Sequence, residues 1–261
     1  MPVELQQRIL VAIPAIAIAV TFVVVGGTAF SAFVAVLGIL CLHELFGMFP
    51  TAHASRLAGY LGIIGLVAAA DLGGRADVLL ALTVAIPATF LLTLLQPRGG
   101  APAIALTLLG LFWVGLGVAH AELLRELPHG AAILVNVLVA TFAGDTGAYL
   151  GGRRFGRRPL APAISPNKTV EGLLVGIAVG TFAGWAAGLW QDWLSGTDAL
   201  ILGAAVAVVA PLGDLFESYL KRDAGTKDTG RAFGAHGGAL DRLDAVLFTA
   251  VVGYYVWRAL M

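Results

Sequence analysis

The sequence predicts an all-α polytopic membrane protein, on the evidence of its composition and of the pattern within its apolar segments. Of the 261 residues, 59% are hydrophobic and 12% are charged, whereas soluble domains contain about 25% charged residues. The apolar segments are continuous and rich in Ala, Leu, Val and Gly. They lack the alternation of apolar and polar residues that is typical of barrel strands, so membrane-spanning helices are the predicted elements.

Charged or turn-forming residues separate nine apolar runs that are long enough to approach or cross a bilayer. The runs cover residues 9–25, 28–46, 57–72, 78–95, 102–119, 131–150, 171–191, 199–217 and 241–260. The first is expected to be a retained helix, because its apolar core is long and no good signal-peptidase site follows it. Residues 1–261 are predicted to form a single integral membrane domain, with N-terminal helices in 1–130 and the candidate catalytic helices and loops in 131–261.

The charges and the cysteine content exclude several classes of protein. Sixteen Lys and Arg residues balance sixteen Asp and Glu residues, which excludes a strongly basic nucleic-acid-binding protein. Cys41 is the single cysteine. It rules out an intrachain disulfide and argues against a cysteine-based zinc site.

The distribution of basic residues predicts the orientation of the chain in the membrane. An inside amino terminus places thirteen of the sixteen Lys and Arg residues on the cytoplasmic side, as the positive-inside rule requires. With nine spans, the carboxyl terminus then lies outside.

Two predicted cytoplasmic segments, 144–171 and 211–244, hold ten of the sixteen basic residues and eight of the sixteen acids. Several of the acids fall at the ends of spans: Asp145, Asp214, Glu217, Asp241 and Asp244. An ionisable group inside a bilayer is costly unless it is paired, hydrated or metal-bound, so each acid is a functional candidate.

Four aspartates in the second segment are candidate ligands of a hard cation such as magnesium: Asp214, Asp228, Asp241 and Asp244. The simpler alternative is that Asp241 and Asp244 complement the positive end of a helix dipole and pair with Arg242 and Lys227. Four aspartates interleaved with basic residues favour a metal and polyphosphate site, because Lys and Arg are suited to binding phosphates.

The basic residues concerned are Lys221, Arg222, Lys227 and Arg231, and Ser218 lies four residues after Asp214 on the same helix. Gly237 and Gly238, after His236, would let the backbone approach a ligand and point its amides at an anion. His236 alone is equally compatible with a hydrogen-bonded loop residue.

In the earlier segment, the stretch LAPAISPNKTVEG predicts a helix start. Ser165 would be its N-cap and Pro166 its first residue, with Lys168 one turn in. Such a helix start binds phosphate readily. The four arginines between 153 and 158 are equally explained as topology signals that contact anionic lipids.

These two segments resemble the characteristic regions of the phosphatidate cytidylyltransferase family, also called CDP-diacylglycerol synthase. The resemblance is carried by S-Y-L-K-R, K-D and H-G-G-A-L-D-R-L-D between Ser218 and Asp244, and by G-D-T-G-A-Y-L and I-S-P-N-K-T-V-E-G between Gly144 and Gly172. The first 130 residues match only as generic membrane helices. One departure is Gly234-Ala235, where the family commonly has Pro-Gly.

The resemblance implies transfer of a cytidylyl group from CTP to phosphatidic acid, with magnesium, alone or with a second cation, as cofactor. It implies catalytic roles for Lys227, Asp228, His236, Asp241, Arg242 and Asp244. It also implies substrate binding by Asp145, Ser165, Lys168, Ser218, Lys221, Arg222, Gly237 and Gly238. The partners would be the two substrates and the lipid bilayer of a bacterial inner membrane, with the site at the cytoplasmic face, no nucleic acid, and a homodimer left open.

Two alternatives remain at this stage. A CTP-dependent polyprenol or dolichol kinase would need similar ligands, but the complete H-G-G-x-x-D-R-x-D ending favours the cytidylyltransferase. An ion-coupled transporter could use Asp145, Asp214 and Glu217 as intramembrane carriers. It would not explain why acids and bases alternate in two segments on one face.

Overall fold

The computed structural model describes residues 3–230 and 237–261, with side chains described from Pro14 onward. The predicted catalytic residue His236, the basic Arg231 and the unusual Gly234-Ala235 pair lie outside the described residues.

Ten α-helices and one short hairpin make up the regular structure of the described residues. The helices are α1 Val3–Val25, α2 Gly27–Met48, α3 Arg56–Leu72, α4 Arg75–Leu94, α5 Ala101–Gly110, α6 Leu116–Glu126, α7 Gly130–Phe155, α8 Val170–Gly188, α9 Gly196–Asp223 and α10 Leu240–Leu260. A 3₁₀ turn, Pro50–Ala52, follows α2, and a π-helical segment, Leu111–Gly115, joins α5 to α6. The strands are β1 Pro159–Ala161 and β2 Ser165–Thr169.

The predicted all-α polytopic membrane fold is confirmed. Within the described residues, seven helical segments are long and apolar enough to cross a membrane: α2, α4, α5 to α6 taken together, α7, α8, α9 and α10. Each of the nine predicted runs falls on helical structure, but α3 has only 17 residues and the apolar helix described in α1 is Pro14–Val25. The count of nine spans therefore stays a prediction.

By its internal contacts the chain divides into two compact units, while its organisation as one membrane domain with the catalytic helices after residue 130 stays a prediction. The first unit contains residues 1–126 and 226–243, and the second contains residues 127–225 and 244–261. The segment 226–243, near the end of the chain, thus belongs with the N-terminal helices.

The first unit has an apolar core formed by α2, α3 and the α5 to α6 segment. Leu42, Leu45, Ile63, Leu66 and Leu111 are fully buried in it. Among the side chains described in this unit, two carboxylates are also buried: Glu122 in α6, which accepts a hydrogen bond from the Ser31 hydroxyl, and Glu44 in α2. Buried acids in apolar helices need such partners.

The second unit is held together by close packing of α8 against its neighbours. The buried residues of α8 are all glycines spaced four apart: Gly172, Gly176, Gly180, Gly184 and Gly188. A methyl group at Gly180 would lie 2.8 Å from the carbonyl oxygen of Ala140 in α7, and one at Gly184 would lie 2.9 Å from Gly203 Cα in α9. Small residues at this spacing allow membrane helices to approach backbone to backbone.

The segment before α8 is an antiparallel hairpin, so the predicted helix start at Ser165 is wrong. Residues 165–169 form β2, which pairs with β1 through Pro159 opposite Thr169 and Ala161 opposite Ser165. The N-cap is Thr169, whose hydroxyl accepts from the Gly172 amide at 3.1 Å. Ser and Thr are both good N-caps, and pairing with β1 decides between them. Lys168 therefore extends from a strand rather than from the first turn of a helix.

Candidate active site

Three carboxylates in the second unit converge where α9 approaches the start of α10. One oxygen each from Asp214, Glu217 and Asp244 lie within 4.8 Å of one another. Asp214 and Glu217 are three residues apart in α9 and so share a helix face. Glu217 is 1% exposed and Asp244 is 8% exposed, whereas Asp214 is half-buried.

A glycine makes this convergence possible. A methyl group at Gly213 would lie 2.8 Å from the Cα of Ala245 and would also collide with the Asp244 carbonyl. Only a residue without a side chain fits here, because real Cβ atoms do not approach other atoms so closely. Gly213 therefore sets the distance between Asp244 and the two acids of α9.

Two lysines and a serine contact the acidic cluster. Lys168, from β2, forms an ion pair with Asp214, and Lys221 Nζ lies 2.5 Å from Glu217 Oε2. Ser218 donates a hydrogen bond of 3.4 Å to Asp214 Oδ1. Among the residues that the structure describes, three carboxylates therefore lie beside two ammonium groups, and carboxylate oxygens are the ligands that a hard divalent cation prefers.

A cavity of about 520 Å³ opens beside the cluster, between α7, α8, α9 and the hairpin. Its polar lining includes Asp145, Arg153, Asn167, Lys168 and Asp214, with apolar residues of α7 to α9 completing the walls. This volume is typical of small-molecule sites, and a few convergent polar groups in an otherwise apolar wall are what such sites need for specificity. The cavity thus places a binding space next to a candidate metal centre.

Arg222, predicted to bind substrate, has a structural contact in the same unit. Its Nε donates to the Ile164 carbonyl in the hairpin at 3.0 Å. Glu171, at the start of α8, accepts hydrogen bonds from the backbone amides of Arg157 and Arg158. Arg222 and Glu171 therefore both bond to the hairpin region, and the second strand of that hairpin carries Lys168.

The signature loop, residues 226–243, belongs to the first unit. Asp241 Oδ2 accepts from the backbone amides of Gly238 at 2.7 Å and Thr229 at 3.1 Å. The Gly238 amide, which the sequence predicts to bind a substrate anion, therefore donates to the Asp241 carboxylate instead. Gly237 has φ of +81°, a conformation that favours glycine. Lys227 and Asp228 are exposed.

The predicted site residues fall into two groups. The second unit contains Asp145, Ser165, Lys168, Asp214, Ser218, Lys221, Arg222 and Asp244. The first unit contains Lys227, Asp228, Gly237, Gly238, Asp241 and Arg242. Of the four predicted metal ligands, Asp214 and Asp244 come together, while a metal-binding role for Asp228 and Asp241 stays a prediction.

Glu217 is a functional candidate from its place at the end of a span, but it is not among the four predicted metal ligands, and Glu44 is not among the predicted site residues at all. Glu217 could have been found from its spacing, since it lies three residues after Asp214 on the same face of α9. Glu44 is an ionisable residue inside an apolar span, which is itself a signal of function. Residue 44 is distant in sequence from both characteristic segments, so its contact with the second one could not be inferred from the sequence.

Fold and site together define an integral membrane protein of packed helices, with a carboxylate and lysine centre suited to metal-assisted chemistry on phosphates. The chain belongs to the cytidylyltransferase family, whose sequence model matches residues 6–260. It is therefore a nucleotidyltransferase, and the family suggested by the two characteristic segments is confirmed.

Similar proteins carry a more specific name. A phosphatidate cytidylyltransferase of Synechocystis is 35% identical over 95% of this chain and 95% of its own length. One of Brucella suis is 33% identical over 96% of this chain and 92% of its own. One of Helicobacter pylori is 45% identical over 47% of this chain and 46% of its own. The resemblance therefore extends beyond the two motifs to nearly the whole chain.

Proposed function

We propose that this protein transfers the cytidylyl group of CTP to phosphatidic acid, giving CDP-diacylglycerol and pyrophosphate. The observation that carries the proposal is the cluster of Asp214, Glu217 and Asp244, contacted by Lys168 and Lys221, beside a ligand-sized cavity. Membership of the cytidylyltransferase family and near full-length similarity to proteins named phosphatidate cytidylyltransferase support the choice of substrates.

In this reaction, a phosphate oxygen of the lipid forms a bond to the α-phosphorus of CTP. The bond between that phosphorus and the oxygen bridging to the β-phosphate breaks, and the electron pair leaves with pyrophosphate. Because the nucleophile is already an anion, little general-base help is needed. The protein must instead align two anions and stabilise the charge on the leaving group, a task for cations and fixed positive side chains.

The acidic cluster fits a divalent cation. The oxygens of an octahedral magnesium site lie about 2.9 to 4.1 Å apart, so the three oxygens within 4.8 Å need only a small closure. Bound there, magnesium would screen the phosphates and stabilise the leaving pyrophosphate. Asp214, Glu217 and Asp244 would hold it, whereas Asp241 and Asp228 are proposed to act from the signature loop.

Positive side chains are proposed to hold the phosphates. Lys168 lines the cavity and pairs with Asp214, so its ammonium lies where a phosphate in that cavity can reach it. Lys221 forms an ion pair with Glu217 in the same acidic cluster. Lys227 and Arg242 are assigned the same task from the signature loop, where both side chains are exposed. Charge-assisted bonds of this kind are the stronger hydrogen bonds of proteins.

We further propose a location in a bacterial inner membrane, with the site at the cytoplasmic face. The apolar helices and bacterial relatives support an integral membrane protein, and the basic residues support the orientation. CTP would arrive from water while the acyl chains of phosphatidic acid stay in lipid. Assembly as a homodimer remains a prediction.

The deciding experiment uses the purified protein in detergent with CTP, phosphatidic acid and magnesium. The expected products are pyrophosphate and CDP-diacylglycerol in equal amounts, both dependent on the lipid. Formation of CDP with transfer of the γ-phosphoryl group would show a kinase instead. Asp244→Asn should abolish turnover while the protein still inserts and purifies, and near-normal activity of this variant at limiting magnesium would contradict the metal site.

A further inference from the structure

Glu44, in the middle of the N-terminal half, contacts the signature loop. It lies in α2 and is 7% exposed. Its Oε2 atom accepts from the Leu240 backbone amide at 2.9 Å and from the Thr229 hydroxyl at 3.3 Å. Both partners belong to the same unit as Glu44, and they stand on either side of the H-G-G motif.

The bond to Leu240 caps α10. Leu240 is the first residue of that helix, and the first amides of a helix have no partner inside it. A carboxylate in this position satisfies one such amide and complements the positive end of the helix dipole. Glu44 therefore does for α10 what a local N-cap residue does elsewhere, although it comes from a different helix.

Thr229 connects Glu44 to Asp241. The Thr229 hydroxyl donates to Glu44, and its backbone amide donates to the Asp241 carboxylate. The same carboxylate accepts from Gly238 at 2.7 Å. Glu44 and Asp241 therefore both accept from Thr229, and the position of Asp241 depends on a residue that Glu44 also holds.

Glu44 also explains two glycines of the loop. A methyl group at Gly230 would lie 2.8 Å from Glu44 Cγ, and one at Gly238 would collide with the Glu44 carboxylate and the Thr229 hydroxyl. The second glycine of the H-G-G motif is therefore required by the packing of Glu44 against it. These contacts leave no room for a larger residue at either position without moving the acid.

From these contacts we infer that Glu44 is a positioning residue for the described parts of the signature loop, holding Thr229, Leu240 and, through Thr229, Asp241 in the geometry that nucleotidyl transfer requires. The inference rests on the proposed function for its catalytic consequence, but the anchoring itself is independent of substrate. It assigns a role in the reaction to α2, a helix outside both characteristic segments.

The first test measures loop opening without using activity. Trypsin cleaves after exposed lysine and arginine, and the rate of cutting after Lys227 reports on the loop, while the exposed Arg98 in the same unit serves as the internal reference. Glu44→Ala should speed cleavage after Lys227 about tenfold or more, because it removes two hydrogen bonds to a charged acceptor. Cleavage after Arg98 should not change.

The second test measures CTP-dependent pyrophosphate release. Glu44→Ala should lower kcat at least tenfold at saturating CTP and magnesium. Glu44→Gln should recover kcat to within about threefold of the wild type, because its amide oxygen still accepts both hydrogen bonds. Rescue by the conservative variant distinguishes positioning from a requirement for negative charge.

Glu122→Ala is the matched control, since Glu122 is also a buried acid in this unit and accepts from a hydroxyl, that of Ser31. It should lower the melting temperature without speeding cleavage after Lys227. The inference is overturned if Glu44→Ala leaves loop cleavage or kcat unchanged, or if Glu122→Ala speeds the same cleavage equally. If the wild type releases no pyrophosphate, the proposed function fails, while the cleavage experiment still decides whether Glu44 anchors the loop.

Discussion

Replacing Glu217 by glutamine tests whether the acidic cluster of α9 and α10 binds the catalytic cation. Glu217 is 1% exposed, contributes one of three clustered oxygens and lies 2.5 Å from Lys221 Nζ. The substitution keeps the size of the side chain and removes its charge. Two effects are expected, one on metal affinity and one on stability, and they can be separated.

The effect on metal affinity follows from the loss of one charged ligand of three. Losing even an outer-shell partner weakens metal binding about 10- to 100-fold, so the magnesium concentration for half-maximal activity should rise by at least this factor. The effect on stability follows from Lys221, whose side chain is 15% exposed. The substitution replaces the charged acceptor beside Lys221 by a neutral amide oxygen, which accepts a weaker hydrogen bond, so the melting temperature should fall.

The assay is a magnesium titration of pyrophosphate release, paired with a magnesium titration of the melting temperature. The second measurement needs no catalysis, because a ligand that binds the folded state stabilises it by an amount that grows with the logarithm of its affinity. Asp223→Asn is the matched control, since Asp223 ends α9 but is exposed and outside the cluster. It should shift neither titration.

The double variant Glu217→Gln with Lys221→Met separates the two roles. Lys221→Met removes the ammonium that contacts Glu217, and the magnesium-induced rise in melting temperature should remain as weak in the double variant as in the single variant. If Glu217 served only as the partner of Lys221, the single variant would lose stability but bind magnesium normally. An unchanged magnesium requirement in folded Glu217→Gln would refute the metal-site reasoning.

Three further predictions concern the loop, the orientation and the packing. Lys227→Met should lower kcat/KM for CTP about 10- to 100-fold, whereas Arg158→Gln should have little effect. Equal, small losses of pyrophosphate release in both variants would mean that these residues serve only to orient the chain in the membrane. A reporter fused after Met261 should behave as external to the cytoplasm, and cytoplasmic reporter activity would overturn the odd number of spans. Gly213→Ala should lower both the melting temperature and turnover, since its methyl group would lie 2.8 Å from Ala245 Cα; a variant with wild-type values in both measurements would show that the helices can separate freely.

The sequence alone determined the class of fold and much of the site. Apolar runs near the length of a bilayer crossing predict helices without knowledge of any partner, because backbone hydrogen bonds inside lipid must be satisfied within each segment. The same holds for Asp214 and Ser218, whose spacing of four places them on one face of α9. The two characteristic segments predicted the family because their motifs are local and specific.

The tertiary structure decided which residues meet across the chain. The sequence around Ser165 predicts a helix start. Pairing with Pro159–Ala161 makes this segment a strand instead, and the N-cap of the following helix is Thr169. Local propensity alone could not distinguish these outcomes, since both residues are favourable N-caps.

The assignment of Glu44 shows the same limit at longer range. It contacts Leu240, 196 residues further along the chain, and no spacing rule connects an acid in α2 to a loop before α10. The sequence shows that an acid in an apolar helix needs a partner. Only the folded chain identifies the partners, because it brings the Thr229 hydroxyl and the Leu240 amide to the Glu44 carboxylate.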